Sequence, residues 1–264
     1  MESTYGCPCV TVLIPAKNAQ DFISESLSSA IEQSHLAQII VLVNDSSDST
    51  EEIVMDFSMR HPIVQLIKLP AVGISGALNA GIRLVDTPFI ARLDADDLMV
   101  PHRISKQVEF MSSHPHVAVL GSQLEYISTT GTHIGFSNYP TRTSWIKTYL
   151  SFGNPIAHPS VLIRASALSI DPYKSEFEGV EDLALWIDLA KGHELANLDE
   201  FLTKYRQHKN QVSISPRVKY QEVELRLSSN LFRDTNFLTR LAKSFLNRLK
   251  VVWILRKIRK FERL

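Results

Sequence analysis

The sequence has few cysteines, no long apolar run and no net charge. Cys7 and Cys9 alone cannot form a disulfide framework, which fits a reducing compartment. No apolar stretch approaches the roughly 18 residues of a membrane-spanning helix, and the first nine residues do not read as a signal peptide. Lys plus Arg and Asp plus Glu each number 28, so a globally basic nucleic-acid-binding protein is not indicated. We therefore expect a cytoplasmic protein without a nucleic acid partner.

The common glycine-rich phosphate loops are also missing. Residues 73–76 lack the lysine of a P-loop, and residues 76–81 do not match the G-x-G-x-x-G pattern of dinucleotide-binding domains. Cys7 and Cys9 have no second pair of metal ligands nearby, so a structural zinc site is not expected.

The charge is unevenly distributed along the chain. Residues 238–264 contain nine basic side chains and one acidic one, which gives +8, while the other residues contain 19 basic and 27 acidic ones. Apolar residues recur there at spacings of three or four. We predict a basic amphipathic helical tail, residues 237–264, that lies on an anionic membrane surface after a domain at residues 1–236. Alternatively, this helix packs on the domain.

Strand and helix patterns alternate in the first half of the chain. Apolar runs predict buried strands, and apolar residues at helical spacing predict the helices between them, one of which starts with the capping-box pair Ser49 and Glu52. The strands are predicted at residues 10–14, 39–43, 64–69 and 89–93. This alternation indicates an α/β fold with a single, mostly parallel, Rossmann-like sheet flanked by helices.

The second half has a looser pattern. Residues 117–127 suggest a strand, a turn and a second strand, and residues 131–140 suggest a loop. A short strand is predicted at residues 160–164, a helix at 182–191 and a strand at 201–208.

Polar clusters follow three of the predicted strands, at residues 15–18, 44–45 and 94–97. Parallel sheets bind ligands at the carboxyl ends of their strands, so these clusters are candidate binding residues. Asp94, Asp96 and Asp97 place three carboxylates within four residues, which repel one another unless they share a cation. Hard divalent cations prefer carboxylate oxygens as ligands, so the cluster could hold a metal ion. The alternative is a solvated acidic turn.

Two further groups could take part in chemistry. Glu181 and Asp182 open a predicted helix, where acids often pair with the helix dipole, but a general base is the functional alternative. His208 follows a predicted strand and could be structural, exposed or a metal ligand beside the carboxylates.

Taken in order, these motifs resemble those of family 2 glycosyltransferases, which have the GT-A type nucleotide-sugar fold. The resemblance covers roughly residues 10–213. The motifs that carry it are residues 12–18, 43–48, 76–82, 90–97 with 101–107, 158–160, 179–186 and 205–208 with Ser213.

The resemblance implies a nucleotide-sugar site that depends on Mn²⁺ or Mg²⁺. Asp96 would bind the metal, Asp94 the ribose or the metal-bound water, and His208 would be an additional metal or diphosphate contact. Asp45 would accept a hydrogen bond from the base edge, and Arg206 would contact the diphosphate or orient its loop. The remaining residues implied at the nucleotide site are Pro15, Ala16, Asn18 and Asn79.

The resemblance implies Asp182 as the base, with Glu181 supporting it or touching the sugar. The expected activity is inverting transfer from a UDP-sugar to a hydroxyl of a glycan or lipid-linked acceptor in cell-surface polysaccharide biosynthesis, at the cytoplasmic face of the inner membrane. An inactive, membrane-associated nucleotide-sugar or glycan binding protein is the alternative. A nucleotidyltransferase or a glycoside hydrolase fits the motifs less well.

The sequence departs from the family pattern at three places. Lys17 replaces an aromatic residue of the first motif, and Asn44 begins a second motif that usually reads Asp-Asp-Gly-Ser. Leu78 replaces an arginine that usually contacts the nucleotide. These departures leave the identity of the base open.

Overall fold

A computed structural model describes residues 9–150 and 153–209. Within them, nine strands form one sheet and six α-helices pack around it. The strands are β1 (Val10–Ala16), β2 (Leu36–Asn44), β3 (Val64–Leu69), β4 (Phe89–Arg92), β5 (Leu98–Met99), β6 (Val117–Ile127), β7 (His133–Phe136), β8 (Leu162–Arg164) and β9 (Glu194–Arg206). The helices are α1 (Ile23–Ile31), α2 (Thr50–Arg60), α3 (Gly73–Ile82), α4 (Arg103–Ser113), α5 (Thr143–Tyr149) and α6 (Glu181–Leu189).

The sheet confirms the predicted α/β fold. Its strand order is β3-β2-β1-β4-β8-β6-β9-β5, and β7 pairs with β6. Strands β1 to β4 pair in parallel, as do β6 and β9, whereas β8 and the short strands β5 and β7 pair antiparallel to their neighbours. Because β1, β2 and β4 run in one direction, the polar residues that follow them meet at one edge of the sheet.

The core lies on both faces of the sheet. Along β1, Val12 and Ile14 belong to one apolar cluster, and Leu13 belongs to the cluster on the opposite face. This alternation buries both faces of the strand, which is why the central strands are continuous apolar runs rather than alternating ones.

The prediction of a turn within residues 117–127 was wrong, because β6 is one continuous strand. Within this strand, a Cβ on Gly121 would lie 2.2 Å from Asn197 Oδ1 and 2.7 Å from Ile156 Cγ2. The glycine therefore permits close approach of neighbouring groups. Residues 131–140, predicted as a loop, contain the short strand β7.

The start of α2 also differs from the prediction. Ser49 makes no side-chain capping bond, so its pairing with Glu52 as a capping box was wrong. Instead, Asp48 Oδ1 accepts hydrogen bonds from the backbone N and the hydroxyl of Thr50, at 3.0 and 2.6 Å.

The other helix and strands predicted for the second half of the chain are present in the structure, but their bounds differ from the predicted ones. The last predicted strand starts earlier, at Glu194 in β9, and residues 158–160 form a 3₁₀ turn before β8.

Among the described residues, no helix is long and apolar enough to cross a membrane. The predicted tail at residues 237–264 and Ser213 lie outside the described residues.

Candidate active site

The loops after β1 and β2 are joined by Asn18. Its backbone N donates to Ser46 Oγ at 3.1 Å, and its Oδ1 accepts from the backbone N of Ser47 at 2.9 Å. Asn18 has a φ of +49° and Asp45 has a φ of +54°, in the left-handed region that Asn and Asp tolerate better than most residues. Asn18 thus shapes the predicted nucleotide site by holding its two loops together.

Asp45 and Lys17 are exposed at this edge of the sheet. Their Oδ2 and Nζ atoms are 3.9 Å apart, so the lysine that replaces the usual aromatic residue lies beside the expected base contact. Pro15 is half-buried, whereas the side chain of Ala16 belongs to the core. Ala16 can therefore present only its backbone to a nucleotide.

Asn79 is bonded within the protein. Its Nδ2 donates to the carbonyl of Tyr173 at 2.7 Å, and its Oδ1 accepts from the backbone N of the same residue at 3.0 Å. These bonds hold the segment before α6 against α3. The predicted nucleotide contact of Asn79 stays a prediction.

Three carboxylates lie together after β4. Asp94, Asp96 and Asp97 each place one oxygen within 4.8 Å of the others. Burial and the charge of Asp94 raise the pKa of Asp96, and burial and both neighbouring acids raise the pKa of Asp97 well above its usual value. Asp97 is fully buried, and its Oδ2 has no hydrogen-bond partner within the described chain. An oxygen-rich cluster with an unpaired buried oxygen fits a divalent cation such as Mg²⁺ or Mn²⁺.

His208 joins this cluster from the segment after β9. Its Nε2 is 2.7 Å from Asp96 Oδ2, so the two side chains are hydrogen-bonded and His208 lies beside the carboxylates. Asp97, which belonged to the predicted acidic cluster but had no role of its own assigned, is held by β9, because its Oδ1 accepts from the backbone N of Arg206 at 2.8 Å. The position of Asp97 beside Asp96 in the acidic motif was the available signal.

Arg206 is buried among loop groups. Its Nε donates to the carbonyl of Asp96 at 2.9 Å, and its Nη1 donates to the carbonyl of Thr129 at 2.9 Å. Its Nη2 pairs with Glu25 Oε2 at 2.6 Å, and its guanidinium lies 4.8 Å from the ring centre of Phe22. Of the two predicted roles, these contacts favour orientation of a loop, here the one that carries Asp96.

Arg92 interacts with both acidic groups, and the sequence had not suggested a role for it. It is 4% exposed at the end of β4, and it forms an ion pair with Asp94. Burial raises the pKa of both Glu181 and Asp182, and the charge of Arg92 opposes that rise. One buried cation therefore acts on both predicted halves of the site. A basic residue within an otherwise apolar strand was the only sequence signal.

Asp182 lies half-buried in the first turn of α6. Its Oδ1 accepts from the backbone N of Leu183 at 2.7 Å, and its Oδ2 accepts from the side-chain amide of Asn154. Burial raises the pKa of Asp182 to about 6, although both hydrogen bonds lower it. A carboxylate with this pKa, bonded only to neutral donors, can accept a proton near neutral pH.

Glu181 lies deeper than Asp182. Its Oε2 accepts from the backbone N of Gly179 at 2.6 Å, and its Oε1 is 3.9 Å from His158 Nδ1. Burial and the charge of Asp182 raise the pKa of Glu181 to about 7, and burial lowers the pKa of His158 well below its usual value. His158 Nε2 is also 2.8 Å from the hydroxyl of Tyr173. Glu181 is 6% exposed, which suits a supporting role better than direct contact with a sugar.

Two buried residues of α4 hold these parts together. Arg103 donates to the carbonyls of Arg92 and Pro159, at 2.9 and 2.8 Å, and Gln107 donates to the carbonyl of Ser160 at 2.8 Å. These bonds satisfy backbone carbonyls of β4 and of the 3₁₀ turn, and they connect the motifs at residues 101–107 and 158–160.

The fold is that of the GT-A type glycosyltransferases. The model of glycosyl transferase family 2 matches residues 11–168, and the chain belongs to this family. It is therefore a glycosyltransferase by family. The match ends before α6, so the roles of Asp182 and His208 depend on the geometry described above.

Similar sequences carry glycosyltransferase names. An uncharacterized glycosyltransferase of Haemophilus influenzae is 32% identical over 219 residues, covering 78% of this chain and 68% of that protein. The Escherichia coli protein WfgD, a UDP-Glc:alpha-D-GlcNAc-diphosphoundecaprenol beta-1,3-glucosyltransferase, is 27% identical over 218 residues, covering 81% of this chain and 82% of that protein.

Solved structures share the fold. TarS residues 1–349 of S. aureus, in complex with UDP-GlcNAc, align with a TM-score of 0.69 and 17% identity, covering 87% of this chain and 68% of that one. The mannosyltransferase PcManGT of Pyrobaculum calidifontis, in complex with GDP-Man and Mn²⁺, aligns with a TM-score of 0.60 and 16% identity, covering 95% of this chain and 84% of that one.

Proposed function

We propose that the protein transfers a sugar, with inversion, from a UDP-sugar to a hydroxyl of a lipid-linked glycan. One observation carries this proposal: Arg92 pairs with the acidic cluster after β4 and also acts on the carboxylates of α6. Transfer from a nucleotide diphosphate uses a proton acceptor for the acceptor hydroxyl and positive charge at the leaving diphosphate, and the carboxylates linked by Arg92 would provide the first and hold a metal for the second.

The donor would bind at the ends of β1, β2 and β4. Asp45 and Lys17 are exposed where a base can reach them, and Asp94, Asp96 and His208 would hold Mn²⁺ or Mg²⁺. Such an ion, when bound, neutralises charge on a diphosphate. The complexes of TarS with UDP-GlcNAc and of PcManGT with GDP-Man and Mn²⁺ support this arrangement.

Asp182 would be the general base. The acceptor oxygen attacks the anomeric carbon from the face opposite the diphosphate, and the hydroxyl proton passes to a carboxylate oxygen of Asp182. The bond from the anomeric carbon to the diphosphate oxygen breaks, and the leaving group keeps its electron pair. Asn154 and the backbone of Leu183 hold the carboxylate of Asp182 during this step. Glu181 supports the segment before α6 by accepting a hydrogen bond from its backbone.

The acceptor and the location are proposed from the relatives. WfgD is named for a diphosphoundecaprenol-linked acceptor, and a relative in Erwinia amylovora is named for amylovoran biosynthesis. We propose a related acceptor in polysaccharide biosynthesis at the cytoplasmic face of the inner membrane, where the basic tail would contact anionic lipid.

A donor screen tests the proposal. The full chain is incubated with UDP-glucose, UDP-GlcNAc and GDP-mannose, with and without Mn²⁺, and nucleoside diphosphate release and melting temperature are measured. We expect Mn²⁺-dependent release from one UDP-sugar that increases with a diphosphoundecaprenol-linked acceptor, and a product of inverted anomeric configuration. Binding that raises the melting temperature without any release would favour the inactive binding protein. Release only from GDP-mannose would overturn the UDP assignment.

A further inference from the structure

Glu178 joins the segment that carries Asp182 to the start of α3. Its Oε1 accepts a hydrogen bond from the backbone N of Ile74, and its Oε2 accepts from the backbone N of Ser75 at 3.2 Å. The first N–H groups of a helix have no partner within the helix, and a carboxylate there is also favoured by the helix dipole. Glu178 is 103 or more residues away in the sequence, and it accepts the hydrogen bonds that a capping residue next to the helix usually accepts.

The backbone of α3 is shaped to receive this carboxylate. Gly73 has a φ of +69°, and a Cβ on it would lie 2.6 Å from Glu178 Oε1. The residue that precedes α3 is not a Ser or an Asn, the residue types that commonly cap a helix with their own side chains. Glycine is therefore required both for the backbone conformation and for the space that Glu178 occupies.

On its other side, Glu178 stands four residues before Asp182. Gly179, with a φ of +91°, turns the chain and donates its N–H to Glu181 Oε2 at 2.6 Å. Helix α6 then begins at Glu181. The few residues between Glu178 and Asp182 are therefore fixed at both ends, which limits where the carboxylate of Asp182 can lie.

The start of α3 is in turn tied to the predicted nucleotide loop. Asn44 Nδ2 donates to the carbonyl of Gly73 at 3.1 Å, and Asn44 Oδ1 accepts from the backbone N of Val72 at 3.1 Å. Asp45 is the next residue after Asn44. A continuous set of hydrogen bonds thus leads from the nucleotide loop through α3 to the segment of the base.

We propose that Glu178 is a positioning residue that holds Asp182 in register with the nucleotide site by bonding the start of α3. The proposal rests on the proposed function, since it assumes that Asp182 is the base. A group that misplaces a base by a fraction of an ångström lowers the rate of the chemical step while leaving donor binding largely intact. A simple helix cap would instead lower stability without changing turnover.

Substitutions at residue 178 separate these two roles. In the full chain, Glu178→Ala is expected to lower kcat for nucleotide release at least tenfold, with less than a twofold change in KM for the UDP-sugar that the wild type uses. Glu178→Gln keeps an acceptor oxygen for Ile74 and is expected to recover kcat to within about threefold of the wild type. Glu176→Ala removes an exposed acid two residues earlier and is the matched control, expected to match the wild type.

A second variant acts from the other side of the contact. Gly73→Ala places a methyl group against Glu178 and is expected to lower kcat as Glu178→Ala does. Because both changes break the same contact, the double variant should lose little more than the worse single variant. Fully additive losses would overturn the proposal.

Hydrogen exchange tests the positioning without using activity. Amides of residues 179–185 are expected to exchange at least tenfold faster in Glu178→Ala than in Glu176→Ala. Unchanged exchange, or a kcat within twofold of the wild type, would overturn the proposal. Asp182→Asn is assayed in parallel. If this variant keeps near-normal turnover, the assignment of Asp182 as the base fails. Faster exchange in Glu178→Ala would then show only that the contact of Glu178 with α3 holds the segment before α6.

Discussion

The two acidic groups of the site are built in different ways. Asp94, Asp96 and Asp97 lie together after a strand, and burial and mutual repulsion raise the pKa of two of them. Asp182 begins a helix, and its two oxygens accept hydrogen bonds from neutral donors. The first group therefore has more carboxylates than Arg92, which pairs with Asp94, can offset, and a divalent cation can supply further positive charge. The second group is already held in place and needs only to lose its proton. Metal should control the first group, and pH the second.

The largest expected effect is at Asp182. Asp182→Asn keeps an acceptor oxygen but removes the proton acceptor, so kcat should fall about 10²–10⁴-fold with little change in donor affinity. Steady-state nucleotide release and UDP binding would be measured for the variant. Asp188→Asn, an exposed change on the same helix, is the control. Turnover within tenfold of the wild type would remove Asp182 from the base role.

The next effect is at the acidic cluster. Asp96→Ala removes an oxygen near the other two carboxylates and the partner of His208, so Mn²⁺-dependent UDP binding should weaken about 10–100-fold, or 1.4–2.8 kcal/mol. Calorimetric titration of UDP with and without Mn²⁺ would measure it, and the exposed Asp86→Ala would serve as the control. The same metal dependence in Asp96→Ala and the wild type would contradict the ligand role.

This contrast also explains how far the sequence could predict the site. The acidic cluster follows an apolar strand, and strand order alone brings it beside the loops of Asn18 and Asp45, so local pattern was sufficient. The surroundings of Asp182 were not predictable in this way. Its contacts come from Asn154 and, through the segment before it, from α3, and no periodicity relates residues that far apart.

The fold shows the same limit. The parallel strands β1 to β4 were predicted from their apolar residues, and the central strands β1 and β4 are buried on both faces, whereas the edge strand β3 is only partly buried. The turn predicted within residues 117–127 was wrong, because β6 is continuous and its Gly121 makes room for Asn197, which only the folded chain brings near. Arg92 was missed for a related reason, since a buried charge within a strand has meaning only beside Asp94 and the carboxylates of α6.

The pH profile distinguishes the two groups further. Asp182 must be ionised to accept a proton, so kcat/KM at saturating Mn²⁺ should fall about tenfold per pH unit below a pKa of about 6. The stability of the fold should move in the opposite sense. A carboxyl whose pKa is raised on folding stabilises the fold at low pH, and this contribution is lost as the pH rises from about 4 to 6. Asp182→Asn should therefore weaken the dependence of the melting temperature on pH over that range, while the raised pKa values of Glu181 and Asp97 keep part of that dependence. An identical pH dependence in both proteins would contradict the assignment.

Arg92 connects the two groups, and its replacement should affect both. Arg92→Met removes the charge that opposes the rise in the pKa of Asp182, so the acidic limb of the pH profile should shift upward by about 0.5–1 unit. Arg92→Lys keeps the charge and should show a smaller shift. Both profiles are measured on protein whose folding is confirmed by circular dichroism. Identical limbs in Arg92→Met and the wild type would show that the buried cation acts on the acidic cluster alone.

The smallest expected effect is at Lys17, which lies at the exposed edge of the donor site. Its ion pair with Asp45 spans 3.9 Å between side chains that are both more than half exposed, and such pairs contribute about 0–1 kcal/mol. Lys17→Met should therefore change UDP affinity by less than about fivefold and should leave kcat unchanged. A loss of more than 50-fold, measured by the same titration, would mean that Lys17 contacts the diphosphate directly. Donor binding would then depend on a protein cation as well as on the metal. The acidic cluster and Asp182 would differ less in how strongly each depends on metal.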